Sequence, residues 1–251
     1  MKKVIFASAL AVAASSSFAV ELWNNGPLVT HVGAGAGGAD VSMASAIPNA
    51  GGSNITATAW RADDFTVSGG GWLVNTISGY GYDTNNNPPR FGTGTIEIRQ
   101  GTVTGTVVAS VAATFSDAGV YRVFNGAANL SNTARRVFNI TGNFGGVSLA
   151  DGTYFAVFNM SNTAAANNWM PYVMDPNSGN PDDPITRIGN SVVSTDSGVT
   201  WNPATVTTGG WNQAPELPFA IEGEAVPEPA TMIGLGAGVL ALLRRRRTAK
   251  A

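Results

Sequence analysis

The sequence predicts an all-β protein, an antiparallel two-layer β-sandwich of jelly-roll-like kind, and three observations carry that prediction. From Val20 onward no segment sustains an apolar period of about 3.6 residues, the signature of an amphipathic helix. Short runs rich in β-branched and aromatic residues recur instead between clusters of Gly, Asn, Asp and Pro. The composition agrees: 31 glycines in 251 residues and only 12% charged side chains suit strands and turns better than helices.

Taken in chain order, Met1-Lys2-Lys3 is a short basic region, Val4 to Ala14 an apolar run, and Ser17-Phe18-Ala19 sets small residues where a signal peptidase reads them. Residues 1–19 therefore read as a secretory signal peptide cut after Ala19, and its apolar stretch is too short to span a membrane. The body, residues 20–225, reads as one domain with strands expected at Asp64 to Val67, Trp72 to Ser78, Gly94 to Arg99, Thr106 to Ala112 and Gly119 to Phe124. Further strands are expected at Arg135 to Thr141, Gly152 to Met160, Asn168 to Met174, Thr186 to Ser194 and Leu217 to Glu222. In Thr95-Ile96-Glu97-Ile98-Arg99 the alternation is strict, so Ile96 and Ile98 should face the core and Glu97 the solvent.

Charge and composition exclude several function classes. Between Val20 and Leu243 lie seven arginines, no lysine and all 16 acidic side chains, a net charge of −9. Such a body repels phosphate backbones, which argues against nucleic acid as a partner. With no cysteine and a single histidine, His31, the chain cannot build thiol chemistry, disulfides, Cys/His zinc sites or a triad from its own repertoire. His31 reads as a surface or sheet-edge imidazole. No cofactor or metal is expected.

Several patterns remain as candidates. Ser194-Thr195-Asp196-Ser197-Gly198-Val199-Thr200-Trp201 fits the Asp-box form S/T-x-D-x-G-x-T-W, a hairpin in which Asp196 accepts bonds from turn amides, Gly198 takes positive φ and Trp201 folds back on the sheet. It resembles the motif shared by sialidases, other propellers and secreted sandwiches, where it lies away from the active site, and that implies a structural role for Ser194, Asp196, Gly198 and Trp201. Asp83-Thr84-Asn85-Asn86-Asn87 and Asp175-Pro176-Asn177-Ser178-Gly179 open like calcium loops but lack the later Gly and Glu, and read as turns. Asp182-Asp183 between two prolines reads as a solvated loop.

For catalysis, Asp63, Asp64 and Glu97 are the best carboxylates, but Asp63 and Asp64 are adjacent and would face opposite sides of a strand. The body is therefore expected to be non-catalytic. Six tryptophans (Trp23, Trp60, Trp72, Trp169, Trp201 and Trp211) offer aromatic surface for sugar rings. In Gly79-Tyr80-Gly81-Tyr82 an extended chain puts both tyrosine rings on one face, which makes Tyr80 and Tyr82 the candidate exposed glycan contacts. A carbohydrate-binding module, and after it a small glycan-active enzyme, are the alternative readings.

The carboxy-terminal residues 226–251 carry the most specific pattern. Val226-Pro227-Glu228-Pro229 ends any strand, because neither proline can donate to a ladder. The apolar run Ala230 to Leu243 follows, then Arg244-Arg245-Arg246-Arg247. As a transmembrane helix its 14 residues would reach about 21 Å, short of a hydrocarbon layer of about 30 Å. Arginine stems extend the reach by snorkelling, and the four charges hold that end on the cytoplasmic side, so the body lies across the membrane, as the signal peptide requires.

VPEPATMIGLGAGVLALLRRRR resembles, in order and spacing, the PEP-CTERM sorting signal of exported bacterial proteins. The resemblance implies recognition of Pro227, Glu228 and Pro229, with Val226, by exosortase, a membrane cysteine transpeptidase acting as a transient partner. It also implies a Gram-negative producer of extracellular polysaccharide, in which an inner-membrane-tethered precursor passes to the cell surface or matrix. More loosely, Ala62-Asp63-Asp64-Phe65 and Leu149-Ala150-Asp151-Gly152-Thr153-Tyr154 resemble the β-sandwich modules that precede such tails, which sets a fold expectation.

Overall fold

The computed structural model describes residues 19–44, 52–84, 88–124, 129–162, 168–175, 185–206 and 212–226. Their strands are β1 (Val20–Asn24), β2 (Asp40–Met43), β3 (Gly52–Asn54), β4 (Trp60–Val67), β5 (Trp72–Asp83), β6 (Phe91–Gln100), β7 (Val107–Val123) and β8 (Arg136–Leu149). They continue with β9 (Gly152–Asn162), β10 (Asn168–Pro171), β11 (Met174–Asp175), β12 (Ile185–Thr186), β13 (Val192–Ser194), β14 (Asn202–Pro203) and β15 (Phe219–Ala225). One sheet takes all but β11 and β12, in the order β1-β15-β5-β8-β7-β6-β9-β4-β13-β14, with β10 beside β5, β3 beside β10 and β2 beside β7. The fold is thus all-β, and every pair is antiparallel except β2 with β7.

The long strand β7 curls the sheet. Its first part pairs with β6, Val107 opposite Arg99 through Ala112 opposite Thr95, and its second part pairs with β8, Ala113 opposite Gly142 through Tyr121 opposite Arg136. The β4–β9 half is thereby brought over the β5–β15 half. Phe65 of β4 stacks on Trp72 of β5 at 6.2 Å between ring centres and meets Phe219 of β15 edge-on at 6.4 Å, while Phe158 of β9 meets Phe219 at 6.2 Å. Ile96, Ile98, Ile140 and Ile77 fill the space between the halves. Burying each such side chain contributes about 1.5–3 kcal/mol against the entropy of ordering the chain.

Ile96 and Ile98 face this core as the alternation predicts. Glu97 does point the other way, but it is half-buried rather than solvated: its carboxylate takes two bonds from the Arg99 guanidinium, at 2.9 and 2.7 Å. The Arg99 charge lies 5.8 Å from the ring centres of both Trp60 and Trp201, so the outside of β6 is roofed by an aromatic–arginine stack.

A second layer covers the opposite face of β5, β7 and β8. The backbone of β5 runs so close to the main core that a Cβ at Gly79 would sit 2.8 Å from Phe158 and one at Gly81 3.0 Å from Ile140. The glycines therefore fill the inward positions, and Tyr80 and Tyr82 turn outward. There Leu28, Tyr82, Val120 and Val137 form a separate apolar cluster, continued by Val41, Met43 and Val123, under the segment Pro27–Met43 and its strand β2. Arg122, fully buried, donates to Ser42 Oγ at 2.5 Å, and burial lowers its pKa to about 10.

Of the signal peptide reading, residues 1–19, all but Ala19 lie outside the described residues, as does the transmembrane-helix reading at residues 230–243. Among the described residues no helix is long and apolar enough to cross a membrane.

Candidate functional site

The end of the body from which the tail departs is tightly held. β15 is paired on one side with β5, ending at Ala225 opposite Trp72, and on the other with β1, where Gly223 faces Val20. The Val226 N–H then donates to Gly71 O at 2.9 Å, the last hydrogen bond along the chain among the described residues, on the residue just before Pro227. Val20, the first residue after the expected signal-peptide cut, lies on the neighbouring strand. Both exits of the chain thus lie at one end of the sheet. Pro227, Glu228, Pro229 and Arg244 to Arg247 themselves lie outside the described residues.

On the outer face a groove of 340 Å³ opens between β5, β7, β8 and the covering segment. A cross-strand row supplies its polar base: Tyr80 pairs with Asn139, and Asn139 with Ser116, whose Oγ accepts from Asn139 Nδ2 at 3.3 Å. Leu28, Val29, Val120 and Ala118 give apolar walls, and Asp40 stands at the start of β2. The wall of β7 is shaped by a bulge between Asp117 and Val120, where Gly119 takes φ 74° and its N–H bonds Asp117 Oδ1 at 2.8 Å. Arg136 fixes that aspartate at 2.7 Å.

Tyr80 and Tyr82 do share a face, but the expectation that both are exposed is corrected. Tyr82 is 2% exposed beneath the covering segment, and burial pushes its phenol up to about 12, so its ring is closed to a sugar. Tyr80 is half-buried and lines the groove; burial, then the Glu21 charge, raises its pKa. The tryptophans are likewise less available than the composition suggested. Trp72 is buried and Trp23, Trp60, Trp169 and Trp201 are half-buried, while Trp211 lies outside the described residues.

The carboxylates are arranged in a way that sequence spacing does not reveal. Asp63 and Asp64 face opposite sides of β4: Asp63 is fully buried, and Asp64 Oδ1 accepts from Asn190 at 2.7 Å. Asp63 has another partner altogether. Asn25 Nδ2 bridges Asp63 Oδ2 at 3.0 Å and Glu216 Oε2 at 2.8 Å, and the Leu217 N–H donates to the same Asp63 oxygen at 2.8 Å. Burial first, and the facing Glu216 charge second, raise the Asp63 pKa well above 3.8. Arg187 donates to Asn25 O and closes the chamber from the loop side. Two carboxyls held this close could in principle act as an acid–base pair, but full burial of Asp63 keeps any glycosidic bond out of its reach in this conformation.

The Asp196 turn is held by side-chain oxygens. Asp196 Oδ1 accepts from the Thr200 N–H at 2.9 Å and Oδ2 from Thr200 Oγ1 at 2.6 Å, while Ser194 Oγ donates to Oδ1 at 2.7 Å and accepts from the Gly198 N–H at 2.8 Å. These bonds, led by the Thr200 hydroxyl, lower the Asp196 pKa to about 2. Gly198 takes φ 83°, and a Cβ there would sit 2.7 Å from the Trp60 ring. Trp201 Nε1 donates back to Gly198 O at 3.1 Å.

Of the two calcium-like loops, the first has its leading aspartate occupied: Arg90 binds both Asp83 oxygens, at 2.7 and 3.2 Å. Asn85 to Asn87, Pro176 to Gly179, Asp182 and Asp183 lie outside the described residues. Among the described residues no three His, Cys, Asp or Glu side chains converge as on a metal ion. His31 sits at an isolated bridge to Val41, with Nδ1 2.9 Å from Thr30 Oγ1.

Residues 225–247 match the PEP-CTERM protein-sorting motif. Such a motif implies export, membrane-anchored sorting and processing by exosortase in general. No curated protein matches the chain.

Proposed function

We propose that this protein is a non-catalytic β-sandwich exported behind its signal peptide, tethered in the inner membrane by residues 230–243, and transferred by exosortase to the cell surface or extracellular matrix of a Gram-negative bacterium. The observation that carries this reading is the motif match at residues 225–247. In it Val226, Pro227, Glu228 and Pro229 are the recognition residues, and Arg244 to Arg247 orient the tether by staying on the cytoplasmic side. The chemistry of cutting belongs to the partner, so this chain supplies a substrate peptide and no catalytic group.

The geometry of the body supports the assignment of roles. With Val226 still bonded to Gly71, the recognition residues follow the fold directly. Four extended residues from 226 to 229 span at most about 14 Å. The β1–β15 end of the sheet is therefore held close to the membrane while the tail is intact, and the partner must work in that gap. Fractionation of producing cells with and without exosortase tests the reading. The protein should remain in the inner membrane without the enzyme and move to the surface or matrix with it; the same distribution in both hosts overturns it.

A further inference from the structure

The groove on the outer face has a lining that selects one ligand chemistry. Tyr80 contributes an aromatic surface, Leu28, Val29 and Val120 apolar walls, and Asp40 and Asn139 polar groups. Its 340 Å³ falls within the range of small-ligand sites, about 300–1,000 Å³, and such sites combine apolar surface with a few placed polar groups. Two of its acceptors have room for a ligand. Asp40 Oδ1 takes the Gly33 N–H at 2.8 Å, while Oδ2 has no partner among the described residues. Asn139 Nδ2 leans on Ser116, while Oδ1 likewise has no partner among the described residues.

We propose that this groove is a binding site for a neutral saccharide, with a sugar ring lying on Tyr80 and its hydroxyls donating to Asp40 Oδ2 and Asn139 Oδ1. The C–H face of a pyranose is complementary to the negative face of an aromatic ring, and its hydroxyls are donors for acceptor-only partners. Charge sets the class. No Lys or Arg is among the lining residues, Asp40 is, and Glu21 acts on Tyr80 from nearby. The surrounding body, residues 20–225, carries 15 acidic side chains against seven arginines, a net −8, and repels uronates, sulfates and phosphates. The site is built on a rigid base: Tyr80 and Asn139 are cross-strand partners in the centre of the sheet, and the Asp117–Arg136 pair fixes the bulge that supplies Val120.

Sorting and sugar binding are separable, because binding is read on the recovered full-length protein without exosortase. Calorimetric titration with neutral gluco-, manno- and N-acetylglucosamine hexasaccharides, against the anionic oligoguluronate, should give saturable binding for a neutral member and none for the anion. Tyr80→Ala should weaken it by roughly tenfold and Asn139→Ala by roughly three- to tenfold, while Tyr80→Phe keeps most of the affinity. Asn139→Ala removes one carboxamide and Tyr80→Phe one hydroxyl, both at half-buried positions, so they keep the test decisive if Tyr80→Ala misfolds. Absence of binding to every neutral member by the folded protein overturns the proposal. So does preferred binding of the anionic oligosaccharide, or neutral binding that neither Asn139→Ala nor a Tyr80 substitution weakens.

Discussion

The body and the tail carry information in opposite ways. The body is a hydrogen-bonded sheet in which each important side chain depends on partners far away in sequence, and it resembles no curated protein. The tail is recognised from a single continuous stretch of residues. A linear signal must be readable by a partner enzyme before and after folding, so its residues lie together in order. A core has no such requirement: it needs only volume and complementary shape, which many sequences provide. The consequence is that destination is legible at residues 225–247, whereas the body's activity is to be sought in surface geometry.

That division predicts that body and tail can be broken separately. The largest expected effect lies in the body. Phe65 is fully buried between Trp72, Tyr154 and Phe219, and Phe65→Ala should cost about 3–5 kcal/mol in chemical denaturation, while the tail peptide remains a competent substrate in a cleavage assay.

A smaller effect is expected at the Asp63 chamber. The raised folded pKa means that the native state binds this proton more tightly than the unfolded chain does. Its contribution is fully present below the ordinary value of 3.8 and is lost as pH rises through the raised value. Glu216→Gln removes the facing charge but keeps an oxygen for Asn25, so the decline should weaken and the melting temperature at pH 7 should rise. An unchanged pH profile would show that the two carboxyls do not interact.

The smallest effect, and the one of opposite sign, is at the exposed turn. Asp196, lowered to about 2, contributes above 3.8 and loses that contribution as pH falls towards about 2. Asp196→Ala should therefore reduce the melting temperature modestly at pH 7, with the difference from wild type shrinking in acid and no change in processing of the tail. A difference that persists undiminished in acid would mean that the turn does not depend on the ionised carboxylate.

The legibility of the fold followed the length of its patterns. β6 was readable because its alternation persists from Thr95 to Arg99, and β9 because Tyr154 to Phe158 is an unbroken run of apolar and aromatic residues, whereas β1, β2 and β3, at five, four and three residues, are too short to show a period. β7 reads in sequence as two strands because Ser116-Asp117-Ala118-Gly119 interrupts it. The structure keeps one ladder by placing a bulge there, fixed by Gly119 at positive φ and by Asp117–Arg136. The facing direction of Tyr80 and Tyr82 was visible in their spacing. Their burial was not, because it depends on the segment Pro27–Met43, whose pairing with β7 leaves no local trace. The Asp63–Glu216 pair joins residues on separate elements through Asn25, and no spacing rule reaches that far.

The central claim is that the tail is a substrate sequence and not merely an anchor, and it is tested most directly by the carboxy-terminal mass of wild-type and Glu228→Ala protein from hosts with and without exosortase. Glu228→Ala leaves the apolar run and the arginines intact, so insertion should be preserved while recognition is lost. The account predicts a shortened carboxy terminus only for wild type in the exosortase host, with full-length, membrane-bound protein in the other three samples. Full-length tails ending at Ala251 in all four, or equal shortening of wild type and Glu228→Ala, would contradict it.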